Sequence, residues 1–95
     1  MELNNIPEAF QSKLRLMIIS ALLSGRQSFS SLKEITGATD GNLSAQINKL
    51  GEAGYIAVTK SFVGKKPLTA CELTPLGRES FREYVEMLNA ILSGE

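Results

Sequence analysis

The polar groups that could do chemistry in this chain are amides, hydroxyls and amines set at helical spacing. Asn42, Ala45, Gln46 and Lys49 fall on one side of a candidate helix, and Ser44 and Asn48 on the other. Amides, hydroxyls and a lysine are the groups that hydrogen-bond to base edges and phosphate oxygens. A plain solvent-facing helix also accommodates them, although a helix needed only for solubility more often pairs Glu with Lys. Other chemistries lack their residues. The chain has no histidine, the commonest acid–base catalyst, and a single cysteine, Cys71. No Ser/His/Asp set, phosphate-cradling glycine loop or carboxylate cluster is present. One cysteine also excludes an intramolecular disulfide and a Cys/His zinc site. An enzyme is therefore not expected, and no catalytic residue, cofactor or metal is assigned.

The helix carrying the amides has a defined start and stop. Thr39 is a suitable N-cap, because its hydroxyl can accept a free first-turn N–H. Asp40 then sits at the positive end of the helix dipole. Leu43, Ile47 and Leu50 recur at i, i+4 and i+7, one apolar stripe. Gly54 fits the C-terminal cap. A helix over 39–53 follows.

The elements before it are helical. Pro7 suits a first helical turn, and the spacing predicts a helix from about 7 to 23 after a short arm over residues 1–6. Leu14, Met17, Ile18, Ala21 and Leu22 form its main apolar face, widened by Leu16, Ile19 and Leu23. So wide a stripe fits a central core helix or one that also meets a second subunit. Ser28-Phe29-Ser30 gives one extended step. Ser30 or Ser31 then caps a short helix, with Ser31 and Glu34 matching a capping box. Gly37 closes it and opens the turn into the 39–53 helix, a helix-turn-helix candidate.

Beyond Gly54 the period changes to two. Residues 55–62 and 67–73 read as strands joined by a turn at Val63-Gly64-Lys65-Lys66, with Pro67 at a strand start, where a missing donor is tolerated. Cys71 alternates in phase with Thr69 and Leu73 and should face the core as a small hydrophobe. The tip lysines, Lys65 and Lys66, suit a DNA-binding wing, or a solvated loop whose lysines discourage edge pairing. Thr74-Pro75 restarts helix over 75–92, with Phe81, Tyr84, Val85, Leu88, Ile91 and Leu92 as its stripe. That stripe is longer than a hairpin needs for cover, which points to a partner helix and a homodimer. Ser93-Gly94-Glu95 should fray.

At 95 residues with a hydrophobic fraction of 43%, one folded domain over 1–95 is expected. No apolar run spans a bilayer and the start, Met1-Glu2-Leu3-Asn4-Asn5, lacks the basic region of a signal peptide, so no membrane partner and a cytoplasmic location are expected. Ten basic and ten acidic residues give zero net charge. The distribution is uneven: Lys60, Lys65 and Lys66 cluster in the hairpin, and Glu79, Glu83 and Glu86 lie in the last helix.

In this order, the segments F-S-S-L-K-E-I-T-G (29–37), T-D-G-N-L-S-A-Q-I-N-K-L (39–50), E-A-G-Y-I (52–56), G-K-K-P-L-T (64–69) and L-T-P-L-G-R (73–78) give the chain its likeness. It resembles the small winged-helix transcriptional regulators related to the MarR and ArsR groups, from the first helix to the last. The resemblance implies an α+β, mainly α, winged helix-turn-helix fold: a three-helix core, a two-stranded wing over 55–73 and a C-terminal helix. It implies a double-stranded DNA partner, with Thr39, Asp40, Asn42, Ser44, Ala45, Gln46 and Lys49 reading the major groove and Lys65 and Lys66 holding phosphates. It also implies a homodimer through the first and last helices, with 75–92 as the dimerisation helix. Asn42 and Gln46 are the candidates for base contacts, since an amide can pair bidentately with adenine. Relatives often carry Arg, His or Lys where this chain has Ala45, Gln46 and Asn48, so its recognition helix is poorly charged. That feature and the zero net charge suit an alternative, a winged-helix module that binds protein. Any small-molecule effector would sit in the dimer interface or between the helices.

Overall fold

The computed structural model describes residues 6–94. Met1–Asn5 of the expected arm and Glu95 of the expected frayed end lie outside the described residues.

The helix expected over 7–23 is two pieces. Glu8–Phe10 forms a single 3-10 turn, and α1 spans Lys13–Leu22. Ser12 makes the break. Its backbone is extended and its hydroxyl accepts the Arg15 N–H at 3.3 Å, so it is the N-cap. The break lets Phe10 turn inward against Tyr55, Phe81 and Tyr84, with ring centroids 5.8, 5.8 and 5.1 Å away. Burying this ring against three others outweighs the continuity of one helix.

A two-residue strand, β1 (Gln27–Ser28), leads into α2 (Phe29–Thr36). The cap of α2 is Ser28, not Ser30 or Ser31: its hydroxyl accepts the Ser31 N–H at 3.0 Å. The Ser31 hydroxyl donates to Gln27 Oε1 at 2.8 Å, so the expected box with Glu34 does not form. Ser28 is held extended by its pairing with Ala70, and the helix must begin immediately after it.

Helix α3 spans Asp40–Glu52, capped by Thr39 as expected. It ends in a pair of bonds from the Gly54 N–H to Gly51 O and the Tyr55 N–H to Leu50 O, both 3.0 Å. This double closure requires Gly54 at φ 84°, a conformation that only glycine adopts without cost.

Strands β2 (Ile56–Val63) and β3 (Lys66–Leu73) pair antiparallel from Ile56–Leu73 out to Val63–Lys66, around a two-residue turn at Gly64-Lys65. The sheet has three strands in the order β1-β3-β2, so β1 covers one edge of the hairpin base. Helix α4 spans Pro75–Leu92. The result is the expected α+β, mainly helical winged helix-turn-helix: three core helices, a hairpin and a C-terminal helix, with the expected short extended step realised as β1 one residue earlier, at Gln27–Ser28, and paired to the hairpin as a third strand.

The core joins Ile18, Ile19 and Leu22 of α1 to Leu32 of α2, Leu43, Ile47 and Leu50 of α3, and Ile56 and Cys71 of the hairpin. Ile19, expected at the edge of the α1 stripe, is fully buried, whereas Leu14 and Met17 are half-buried. Helix α4 attaches at its start. The Thr74 hydroxyl donates to Gly54 O at 2.6 Å and accepts the Gly77 N–H at 3.0 Å, and the Thr74 N–H donates to Tyr55 O at 3.1 Å. Gly77 lies so close to Tyr55 that a Cβ there would stand 2.0 Å from its carbonyl oxygen.

Candidate nucleic-acid interface

Helix α3 buries only Leu43, Ile47 and Leu50 fully. Gly41, Asn42, Ser44, Ala45, Asn48 and Lys49 are exposed, and Gln46 is half-buried at the flank. The outward face is therefore small and polar, and its single cation is Lys49 near the C-terminal end. Helix backbone with short side chains can approach a groove closely, while amides and hydroxyls there still have hydrogen bonds to give.

The residues expected to read bases divide into three kinds. Asn42, Ser44, Ala45 and Lys49 stand open to solvent. Thr39 and Asp40 are already engaged. The Thr39 hydroxyl accepts the Asn42 N–H at 3.2 Å, and Asp40 pairs with Lys33 Nζ at 2.7 Å, tying α2 to the start of α3. Both ends of that pair are well exposed, so it fixes the turn more than it stabilises the fold. Gln46 is the third kind. Its Oε1 accepts from Arg15 Nη1 at 2.7 Å, and its Nε2 lies 3.4 Å from Asn42 Oδ1.

Arg15 is the residue that sequence reasoning missed. It is 9% exposed, and its guanidinium also donates to Glu8 O at 2.9 Å and Ala9 O at 3.3 Å. One signal marks it: it is the only charge between Leu14 and Gly25, in a run otherwise apolar but for Ser20 and Ser24.

The hairpin brings Lys60, Lys65 and Lys66 to solvent. The molecule is elongated, 54 × 25 × 21 Å. Phe62 and Val63, two further residues not singled out from sequence, are 72% and 66% exposed beside those lysines. Among the acidic residues of α4, Glu79 and Glu86 pair with Arg82, whose hydrogen bond holds the Glu79 carboxyl below the usual range. Cys71 is fully buried as expected, and burial pushes its thiol up, away from the reactive thiolate. Among the described residues no group of His, Cys, Asp and Glu is arranged to hold a metal, and no helix is long and apolar enough to cross a membrane.

Comparison with known proteins agrees with this geometry. Residues 14–92 match the family model described as a winged helix DNA-binding domain. An uncharacterized protein of Methanocaldococcus jannaschii is 37% identical over 78 residues, covering 80% of this chain and 84% of that protein. A transcriptional regulator homologue from Pyrococcus horikoshii superposes with a TM-score of 0.82 at 28% identity, over 90% of this chain and 86% of that one. A protein assigned to the MarR family of regulators, from Enterococcus faecalis, gives a TM-score of 0.81 at 17% identity, over 96% and 83% of the two chains, which shows a shared fold.

Proposed function

The chain belongs to the winged helix DNA-binding domain family, whose solved relatives are transcriptional regulators and not enzymes, and we propose that it acts as a sequence-specific homodimeric regulator. In this reading α3 lies in the major groove and the β2–β3 hairpin rests on the backbone or minor groove. The observation that carries it is the outward face of α3: small, polar and free of the large apolar residues that a buried helix would show. Asn42 and Gln46 face base edges. Thr39, Asp40, Ser44, Ala45 and Lys49 line the approach, and Lys65 and Lys66 hold phosphates.

Dimerisation rests on α4. Beyond Tyr84 most of its apolar residues lack full cover: Met87 and Ala90 are half-buried, whereas Val85, Leu88, Ile91 and Leu92 are exposed. Beside α1 runs an open apolar groove of about 750 Å³, lined by Phe10, Leu16, Met17, Ala21 and Ile35. A second copy of the first and last helices would take both surfaces out of water, with the C-terminal helix serving the single domain as its dimerisation arm.

One observation favours the protein-binding alternative: the exposed Phe62 and Val63 at the wing, which suit an apolar partner as well as a groove. A single experiment separates the readings. Binding to random duplex DNA is measured at two salt concentrations, with sedimentation on the same sample. A dimer whose affinity falls steeply with salt supports the regulator. A dimer without affinity at low salt refutes it in favour of the protein-binding module.

A further inference from the structure

Arg15 is a buried cation that forms no ion pair among the described residues. Three oxygens meet it: the carbonyls of Glu8 and Ala9 at 2.9 and 3.3 Å, and Gln46 Oε1 at 2.7 Å. A guanidinium carries five N–H donors and no acceptor. It therefore dictates which way the Gln46 amide turns. The oxygen must face Arg15, because the reversed amide would set its own N–H groups against the guanidinium and leave a buried charge without that partner. Gln46 Nε2 is thereby directed one helical turn back, toward Asn42 Oδ1 at 3.4 Å. Asn42 in turn faces Gln46 with its oxygen and keeps its amide nitrogen for solvent. The choice passes from the core to the surface through two amides, and it leaves only donors unused: the second Nε2 hydrogen of Gln46 and the amide nitrogen of Asn42.

We infer that Arg15 is a specificity-determining positioning residue, holding Gln46 and Asn42 so that α3 presents hydrogen-bond donors and selects guanine over adenine. This rests on the reading of α3 as a base-reading helix. In the major groove guanine offers two acceptors, N7 and O6, whereas adenine offers N7 and the donor N6. Bidentate pairing with adenine requires the amide to offer its oxygen as well, and both oxygens are engaged, that of Gln46 by Arg15 and that of Asn42 by Gln46 Nε2 along the helix surface. The adenine preference expected from amides alone is thereby reversed by a residue that touches no base.

The test is site selection by the full chain from a randomised duplex pool, followed by affinities for duplexes differing at one base pair. Thermal unfolding accompanies each variant. The position read by Asn42 is the one whose preference disappears in Asn42→Ala. Wild type should prefer G·C to A·T there by about tenfold, the equivalent of about 1.4 kcal/mol. Arg15→Met removes the donors and frees both amides to turn, so the ratio should fall to about one. Gln46→Glu keeps an acceptor for Arg15 and should fold at least as stably as wild type. Its carboxylate has no N–H to offer Asn42, so the Asn42 amide should turn its nitrogen inward, and the guanine preference should again be lost. A merely structural role for Arg15 would change the unfolding temperature and leave base preference alone. Adenine at the Asn42 position in wild type, or an unchanged preference in folded Gln46→Glu, overturns the role of Arg15 while the DNA-binding reading stands. Absence of wild-type binding to any duplex at low salt overturns both.

Discussion

Replacing Gly77 by alanine tests the packing that attaches α4. The added Cβ would lie 2.0 Å from Tyr55 O and 2.9 Å from Tyr55 C, both backbone atoms that no rotamer change can move. Relief requires the start of α4 and the end of α3 to part by about 1 Å, judged against the 3.0 Å floor of real contacts. That displacement strains the bonds from Thr74 to Gly54 O at 2.6 Å and to Tyr55 O at 3.1 Å. Overpacking costs about 1–3 kcal/mol, and each weakened bond adds about 1 kcal/mol. Against this, alanine is the better helix former by about 0.5–1 kcal/mol. The net loss should be about 2–4 kcal/mol, which lowers Tm by about 10–30 °C in a domain of this size. Gly51→Ala is the control. It lies in α3 with no atom within 4 Å of its Cβ position, so the same substitution should stabilise by about 0.5–1 kcal/mol. Urea or thermal unfolding at one fixed protein concentration reads both, since dimerisation would otherwise shift the midpoint. A Gly77→Ala protein as stable as wild type would refute the close-approach reasoning, and so would a destabilised Gly51→Ala.

Three further outcomes are expected. Lys65→Ala with Lys66→Ala removes four lysines from a bound dimer, so it should weaken binding to all duplexes alike and reduce the salt slope by up to about four per dimer, and an unchanged slope removes the wing from the contact surface. Leu88→Glu with Leu92→Glu should shift sedimentation from dimer to monomer with little change in far-UV circular dichroism, because both side chains are exposed in the single chain; a dimer that persists excludes α4 as its interface. For Cys71, the raised thiol pKa means that the unfolded chain ionises first as pH rises. The contribution to stability is whole below the unfolded thiol pKa, near 9.0, and is lost as pH rises from there through the folded value. Wild type should therefore lose stability above that pH faster than Cys71→Ala, whereas parallel pH profiles would show that the thiol is not desolvated.

Elements closed by their own residues are legible in the sequence. Helix α3 begins at Thr39 and α4 at Thr74 because each hydroxyl satisfies an N–H three residues on, a bond that short-range sequence specifies. The hairpin and its turn are legible from alternation, and Cys71 from its phase. The first helix is not. Pro7 suits a helix start and nothing local forbids helix through Gln11 and Ser12; the break there is decided by Phe10 finding three aromatic rings, one just ahead of β2 and two on α4. Helix α2 begins at Phe29 for a similar reason, since Ser28 is held by Ala70, 42 positions away.

Residue types and spacing alone settle the order of the elements, the caps of α3 and α4, the alternating hairpin and the polar character of the α3 face. These depend on bonds and periodicities that close within a few residues. Which of those polar groups remain free is settled by packing across the chain. Asn42 and Gln46 look alike in the sequence, yet Gln46 is committed to Arg15, 31 residues earlier, and Asp40 to Lys33. A donor-only cation brought into the core by α1 sets the direction of an amide on α3, and no local pattern encodes a contact that exists only once two helices have packed.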